Sequence, residues 1–255
     1  MKNLKEYILT ENNFFKNLGI GKIQLIKEFC DKYTKYGYNI NSDETIDATI
    51  VDLREYPETE LPWYIQFNEV TRMSIGGSKL KTLRGCPKEC TDFFECSYCE
   101  DLETLKGGPQ KCRDYRCKRC PKLTNLIGAP KECLTFDCSY CENLTSLRGG
   151  PKKFDKDKEA EFRCVYCTSL TSLKGGPSNS NEFLLYDCSG CTSLTSIKGL
   201  PPKLKTLILT GCEKLKTYDS SPKLMSHVEI YQSGLTKQDV YKAYDNIQVH
   251  RVWSD

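Results

Sequence analysis

CSYCENLTSLRGGP, Cys138 to Pro151, is one copy of a unit that the chain repeats about six times. Anchored on the closing proline, copies end at Pro87, Pro109, Pro130, Pro151, Pro177, Pro201 and Pro222, spaced 22, 21, 21, 26, 24 and 21 residues apart. The unit reads aromatic-x-Cys-x-x-Cys-x-x-Leu-x-x-Leu-x-Gly-x-Pro. Fixed leucine offsets at a period of 20 to 29 signal a solenoid in which each repeat touches only its neighbours.

The expected fold is therefore an α+β repeat, a leucine-rich-repeat solenoid with a parallel β-sheet on its concave face. Proline and glycine in every unit predict an extended, turn-rich convex side in place of helices. The repeats run from 73 to 222. Residues 1–72 read as an N-terminal cap, helical to about 36 and then stranded. Leu4, Ile8 and Leu9, and again Ile23, Ile26, Phe29 and Cys30, fall at helical spacing. Thr10 suits an N-cap, and Gly19 and Gly21 punctuate the junction between two helices. TIDATIVDL (Thr45 to Leu53) and WYIQF (Trp63 to Phe67) read as strands. Residues 223–255 form a C-terminal cap, in which Thr236 and Asp239 open a short helix, TKQDVYKAY.

Stacking the units turns the sequence into columns. Phe94, Tyr115, Phe136, Phe162, Tyr186 and Leu207 share one strand face with Cys96, Cys117, Cys138, Cys164, Cys188 and Leu209, two residues on. Leu102/Leu105, Leu123/Leu126, Leu144/Leu147, Leu170/Leu173 and Leu194/Ile197 fill the remaining core. Cys90, Cys112 and Cys133 align with Leu204 and Leu224 as an apolar column. The second cysteines, Cys99, Cys120, Cys141, Cys167, Cys191 and Cys212, turn the chain out of the strand.

Cys96-x2-Cys99 followed by Cys117-x2-Cys120 also matches a zinc-ribbon spacing. Here that spacing is the repeat period itself, and Leu209 replaces a first cysteine, which favours thiols acting as small core hydrophobes. A metal or redox protein stays open as an alternative, as do disulfides between rungs in an oxidising setting. No cofactor and no metal ligand is assigned.

Outward positions carry the functional candidates. Glu95, Arg116, Asp137, Arg163 and Asp187 alternate in sign along the sheet, so that each charge is expected to pair with its neighbours. Tyr98, Arg119, Tyr140 and Tyr166 precede the second cysteines, followed by Gly190 and Gly211. A Tyr and Arg row has the composition of interface anchors; covering the turn is its bland alternative. Repeat 2 is locally basic through Lys111, Arg113, Arg116, Lys118, Arg119 and Lys122, which suits a solvated face or a polyanion. Inserts at KKFDKDKEAE (Lys152 to Glu161) and SNSNEFLL (Ser178 to Leu185) form loops on one face. Partner-binding candidates are thus Tyr98, Arg116, Lys118, Arg119, Tyr140, Arg163 and Tyr166.

Catalysis finds no foothold: His227 and His250 are the only histidines, and neither lies in a cysteine or serine motif. Only Cys117 and Cys120, beside Lys118 and Arg119, approach the basic setting of a reactive thiol. A net charge of +3 with 28% charged residues sets up no global field toward nucleic acid or membrane. No run of 18 apolar residues and no signal-like N-terminus is present, so a cytoplasmic protein with reduced cysteines is expected.

FDCSYCENLTSLRGGP and YDCSGCTSLTSIKGLP resemble the short repeats of leucine-rich-repeat proteins encoded by large tailed bacteriophages and some bacteria. The resemblance covers about 73 to 222 and extends loosely into the strands before it. The Gly-Asp usual before the strand Phe is missing, and two units carry inserts. The resemblance implies a virus-encoded intracellular binding protein and brings no shared activity or catalytic residue set. With no catalytic residues and a Tyr and Arg row, the chain is expected to be a non-enzymatic module that binds a host or viral protein in the host cytosol, an inhibitor of a host defence or regulatory protein being one form. Nucleic-acid binding through repeat 2 is the competing function.

Overall fold

Each unit lays down a strand at its aromatic-x-Cys segment because that alternation puts large apolar groups on one face at a two-residue period. The computed structural model describes residues 21–154, 160–177, 183–219, 226–243 and 252–253. The expected Thr10 cap and the helix around Leu4, Ile8 and Leu9 lie outside them, as do Leu224, His250, residues 155–159 of the first insert and 178–182 of the second.

The chain is a β-solenoid of about eight turns with two helices among the described residues. Helix α1 (Lys22–Tyr33) leads into β1 (Thr34–Ile40), β2 (Ile46–Asp52), β3 (Phe67–Ser74), β4 (Glu89–Glu95) and β5 (Lys111–Arg116). There follow β6 (Glu132–Cys133), β7 (Thr135–Asp137), β8 (Lys153–Phe154), β9 (Ala160–Arg163), β10 (Phe183–Asp187), β11 (Leu204–Ile208), β12 (His227–Glu229), α2 (Lys237–Ala243) and β13 (Val252–Trp253). They form one sheet in the order β1-β2-β3-β4-β5-β7-β9-β10-β11-β12-β13. The first pair is antiparallel and the remaining pairs are parallel. β6 and β8 form a short flanking ladder.

Two local expectations are corrected. The helical reading to about 36 overruns, because Thr34 turns extended and its amide and hydroxyl both close onto the Cys30 carbonyl. Residues 63–66 are not a strand: the Ile65 amide bonds back to the Pro62 carbonyl, so strand pairing starts only at Phe67. Proline fixes its own φ and tightens that turn. The parallel ladder begins at β2, ahead of the point where the repeat becomes legible. At the far end Thr236 and Asp239 cap α2 reciprocally, with the Thr236 amide donating to Asp239 at 2.8 Å and the Asp239 amide to Thr236 at 3.3 Å.

Inside, the aromatic column forms a continuous stack. Phe94–Tyr115, Tyr115–Phe136, Phe136–Phe162 and Phe162–Tyr186 lie 5.0, 5.3, 5.6 and 4.9 Å apart between ring centroids. Each pair contributes about 1 kcal/mol beyond its buried area. Among the described residues the predicted cysteine and leucine columns are buried throughout. Every second cysteine donates its thiol hydrogen to a carbonyl one turn back: Cys99 to Ile75, Cys120 to Cys96, Cys141 to Cys117, Cys167 to Cys138, Cys191 to Cys164 and Cys212 to Cys188, at 3.1 to 3.3 Å. That ladder satisfies the carbonyl that the outward turn strips of a strand partner. All sixteen cysteines are free and buried.

The return segments are turns, with no helix between β1 and β12 among the described residues. Gly128 shows why the unit needs its glycine. Its φ of +99° suits glycine. A Cβ there would fall on the Lys106 amide nitrogen and the Leu105 carbonyl carbon of the preceding turn.

Candidate functional site: an exposed aromatic and guanidinium ladder

After each inward cysteine the backbone turns through a left-handed residue. Tyr98, Arg119, Tyr140 and Tyr166 occupy this position with φ of 61°, 52°, 62° and 53°, in one column with Gly77, Gly190, Gly211 and Gln232. Each donates its amide to the next turn, Tyr98 to the Lys118 carbonyl at 2.7 Å and Tyr140 to Val165 at 2.6 Å. The column therefore holds a fixed backbone shape whatever its side chains are.

That conformation is natural for glycine and costs another residue about 1 kcal/mol. Four consecutive turns accept the cost and point their side chains outward. Tyr98 and Tyr166 are 57% and 50% exposed, far above any ring of the inner stack. The side chains stack on one another: the Arg119 guanidinium lies 5.7 Å from the Tyr98 ring and 4.4 Å from Tyr140. Tyr140 stacks on Tyr166 at 5.2 Å and 18°. Tyr166 in turn leans over Gly190, where a Cβ would meet the ring at 2.5 Å. One ring pair and two cation–π contacts return about 2 to 3 kcal/mol, slightly less than the strain of four left-handed residues.

A test follows from this balance. Tyr98→Gly relieves the left-handed strain while losing the contact with Arg119, so urea unfolding should place it within about 0.5 kcal/mol of the parent. Tyr98→Ala keeps the strain and loses the contact, and should fall about 1 kcal/mol below the glycine variant. The reverse order would remove the strain argument.

The remaining candidates lie elsewhere. Arg116 does reach neighbouring rungs, but its guanidinium sits 5.0 Å over Phe93, which Arg72 flanks on the other side at 5.5 Å. Arg163 pairs with Glu161 on its own strand at 2.8 Å. Lys118 pairs with Asp137 at 3.7 Å. The alternating column stands in register, Glu95 to Arg116 to Asp137 to Arg163 to Asp187. The expected ion pairs between neighbours do not form, since Asp137 and Asp187 turn onto the amide and hydroxyl of Ser139 and Ser189, respectively. Phe93 and Arg72 were missed. The available signal was an aromatic residue at a position where later strands carry Asp114, Thr135 and Glu161.

Repeat 2 is less basic in space than in sequence. Lys111 pairs with Glu89 at 3.3 Å, Arg113 with Asp92 at 3.5 Å and Lys122 with Asp101 at 2.5 Å. Lys118 and Arg119 are engaged as described. A cleft of about 320 Å³ crosses the strand bulges between Glu89, Lys111, Arg113 and Glu132, separate from the ladder residues, with Lys111 and Arg113 in it already paired to Glu89 and Asp92.

Cys117 and Cys120 are fully buried, and burial pushes the Cys117 thiol well up, which is the opposite of an activated nucleophile. His227 bonds to Glu229 at 2.8 Å. No group of three or more His, Cys, Asp or Glu among the described residues is placed to hold a metal ion, and no described helix is long and apolar enough to cross a membrane. No protein-family model matches the chain, and no curated protein or solved structure matches it at a significant level.

Proposed function

We propose that the chain is a non-enzymatic protein-binding solenoid of the leucine-rich-repeat class that engages a protein partner through the Tyr98–Arg119–Tyr140–Tyr166 ladder. The carrying observation is four planar side chains in adjacent strained left-handed positions, with Tyr98, Arg119 and Tyr166 exposed and Tyr140 half-buried between its neighbours, where glycine would relieve the strain. Exposed outliers of this kind concentrate at functional sites, and rigid Tyr and Arg anchors lose little entropy on binding. Arg116, Lys118 and Arg163 border the ladder as a polar rim. In this reading α1 caps one end by burying Ile26, Phe29 and Cys30, and α2 caps the other through Val240. The phage-like repeat and the free thiols fit a partner met in a host cytosol.

The substitutions Tyr140→Gly, Tyr166→Gly and Arg119→Glu preserve the backbone conformation. A combined variant should lose a partner that co-purifies with the parent from host extract by at least tenfold, with the melting temperature within a few degrees. Undiminished capture by the folded variant would reject this surface. Polyanion binding is the weaker reading because carboxylates already neutralise repeat 2; it requires affinity for DNA or RNA at about 50 mM salt that falls steeply with added salt.

A further inference from the structure

The ladder is closed at one end and open at the other. Its rings lean toward the C-terminal side, as Tyr166 does over Gly190. The Tyr98 ring has the Arg119 guanidinium 5.7 Å away toward the next turn, and the column position one turn back belongs to Gly77. A Cβ on Gly77 would meet nothing within 4 Å, so this rung of the column is open space. Its floor is fixed, because the Gly77 amide donates to the Ser97 carbonyl at 2.8 Å. Its edge is acidic: the Glu95 side chain runs alongside Gly76, where a Cβ would lie 3.7 Å from the carboxyl carbon. The carboxylate accepts only a 3.4 Å bond from Ser74 and carries no ion pair among the described residues. The nearby guanidinium of Arg54 is committed to Asp52 by two bonds of 2.9 and 2.7 Å.

Resting on the ladder as the binding surface, we propose that the slot over Gly77 receives an arginine side chain of the protein partner, stacked on Tyr98 and paired with Glu95. The protein supplies the template itself. One rung away, Arg119 lies between two tyrosine rings at 5.7 and 4.4 Å, so the rung spacing accepts a guanidinium as a member of the stack. A ring face attracts a cation, and the carboxylate offers a charged acceptor for a forked donor. Lysine has no plane to stack, and a neutral isostere lacks the charge.

The test titrates the full chain with N-acetyl-arginine amide, following backbone and tyrosine ring resonances, and repeats the titration with N-acetyl-citrulline amide. Arginine should shift the Gly77 amide and the Tyr98 ring with a millimolar Kd, and citrulline should bind at least fivefold more weakly. Tyr98→Gly, which keeps the backbone, should abolish the shift, and Glu95→Gln should weaken it at least threefold. Equal responses to both probes, shifts centred on Tyr166, or no shift at tens of millimolar would overturn the slot. If partner capture still depends on Tyr140 and Tyr166 while arginine leaves Gly77 unmoved, the slot fails and the ladder stands. If capture is indifferent to the ladder, the ladder reading fails whatever arginine does.

Discussion

Raising the pH from 9 to 11 should unfold the protein. Burial pushes the thiols of Cys30, Cys99 and Cys188 from the ordinary value of 9.0 up to about 12. Burial also raises Cys86, Cys133 and Cys138. These folded-state values lie above the unfolded ones, so the contribution to stability is complete below pH 9. Above that, the unfolded chain releases protons first and binds fewer than the native one. Stability then falls by up to about 1.4 kcal/mol per pH unit for each thiol, until the folded thiols titrate near 12. Three thiols alone remove about 4 kcal/mol by pH 10, against a typical total of 5 to 15. Far-UV circular dichroism under reducing conditions, with urea midpoints at pH 8, 9 and 10, measures this directly. A midpoint unchanged between pH 8 and 10 would contradict the buried, protonated thiol columns.

Gly128→Ala should be the most damaging single methyl group in the array. The φ of +99° penalises any side chain by about 1 to 2 kcal/mol. The Cβ would also land on backbone atoms of the preceding turn, which no rotamer change relieves. Overpacking against backbone adds about 1 to 3 kcal/mol, for a total loss of roughly 3 kcal/mol or more. Gly77→Ala is the matched control. It also has positive φ, at 77°, but its Cβ would enter open space, so it should lose only about 1 kcal/mol. Equal losses in urea unfolding would show that packing between turns does not select the repeat glycine.

The inner columns were legible because identity and geometry repeat together. Phe94, Cys96, Leu102 and Leu105 recur as a set, and a set recurring at a fixed period has one place to be buried. The outward column was legible as composition only. Tyr98, Arg119, Tyr140 and Tyr166 rarely adopt left-handed backbone, so their identity conceals it. Gly190 and Gly211, in the next two turns of the same column, were the available sign. Charge pairing misled for another reason. Register brings Arg116 and Asp137 to adjacent strands, but Phe93 competes for one and the Ser139 amide for the other. A sequence column fixes which residues are neighbours and leaves the choice among several nearby partners to side-chain reach. The N-terminal boundary failed similarly, since helical spacing around Phe29 gives no sign of the strand that begins at Thr34.

The alternating column gives the array a parity. The strand-end contacts recur from turn to turn, as in Cys96 to Arg116, Cys117 to Asp137, Cys138 to Arg163 and Cys164 to Asp187, so excision of one whole unit would leave that ladder intact. Removing residues 96–116 would nonetheless set Glu95 beside Asp137, two carboxylates on adjacent strands about 4.8 Å apart. Removing residues 96–137, two units, would set Glu95 beside Arg163 and restore opposite signs. Between Glu95 and Asp187 the solenoid can thus shorten by pairs of internal turns and keep opposite signs adjacent, while removing one internal turn brings like charges together.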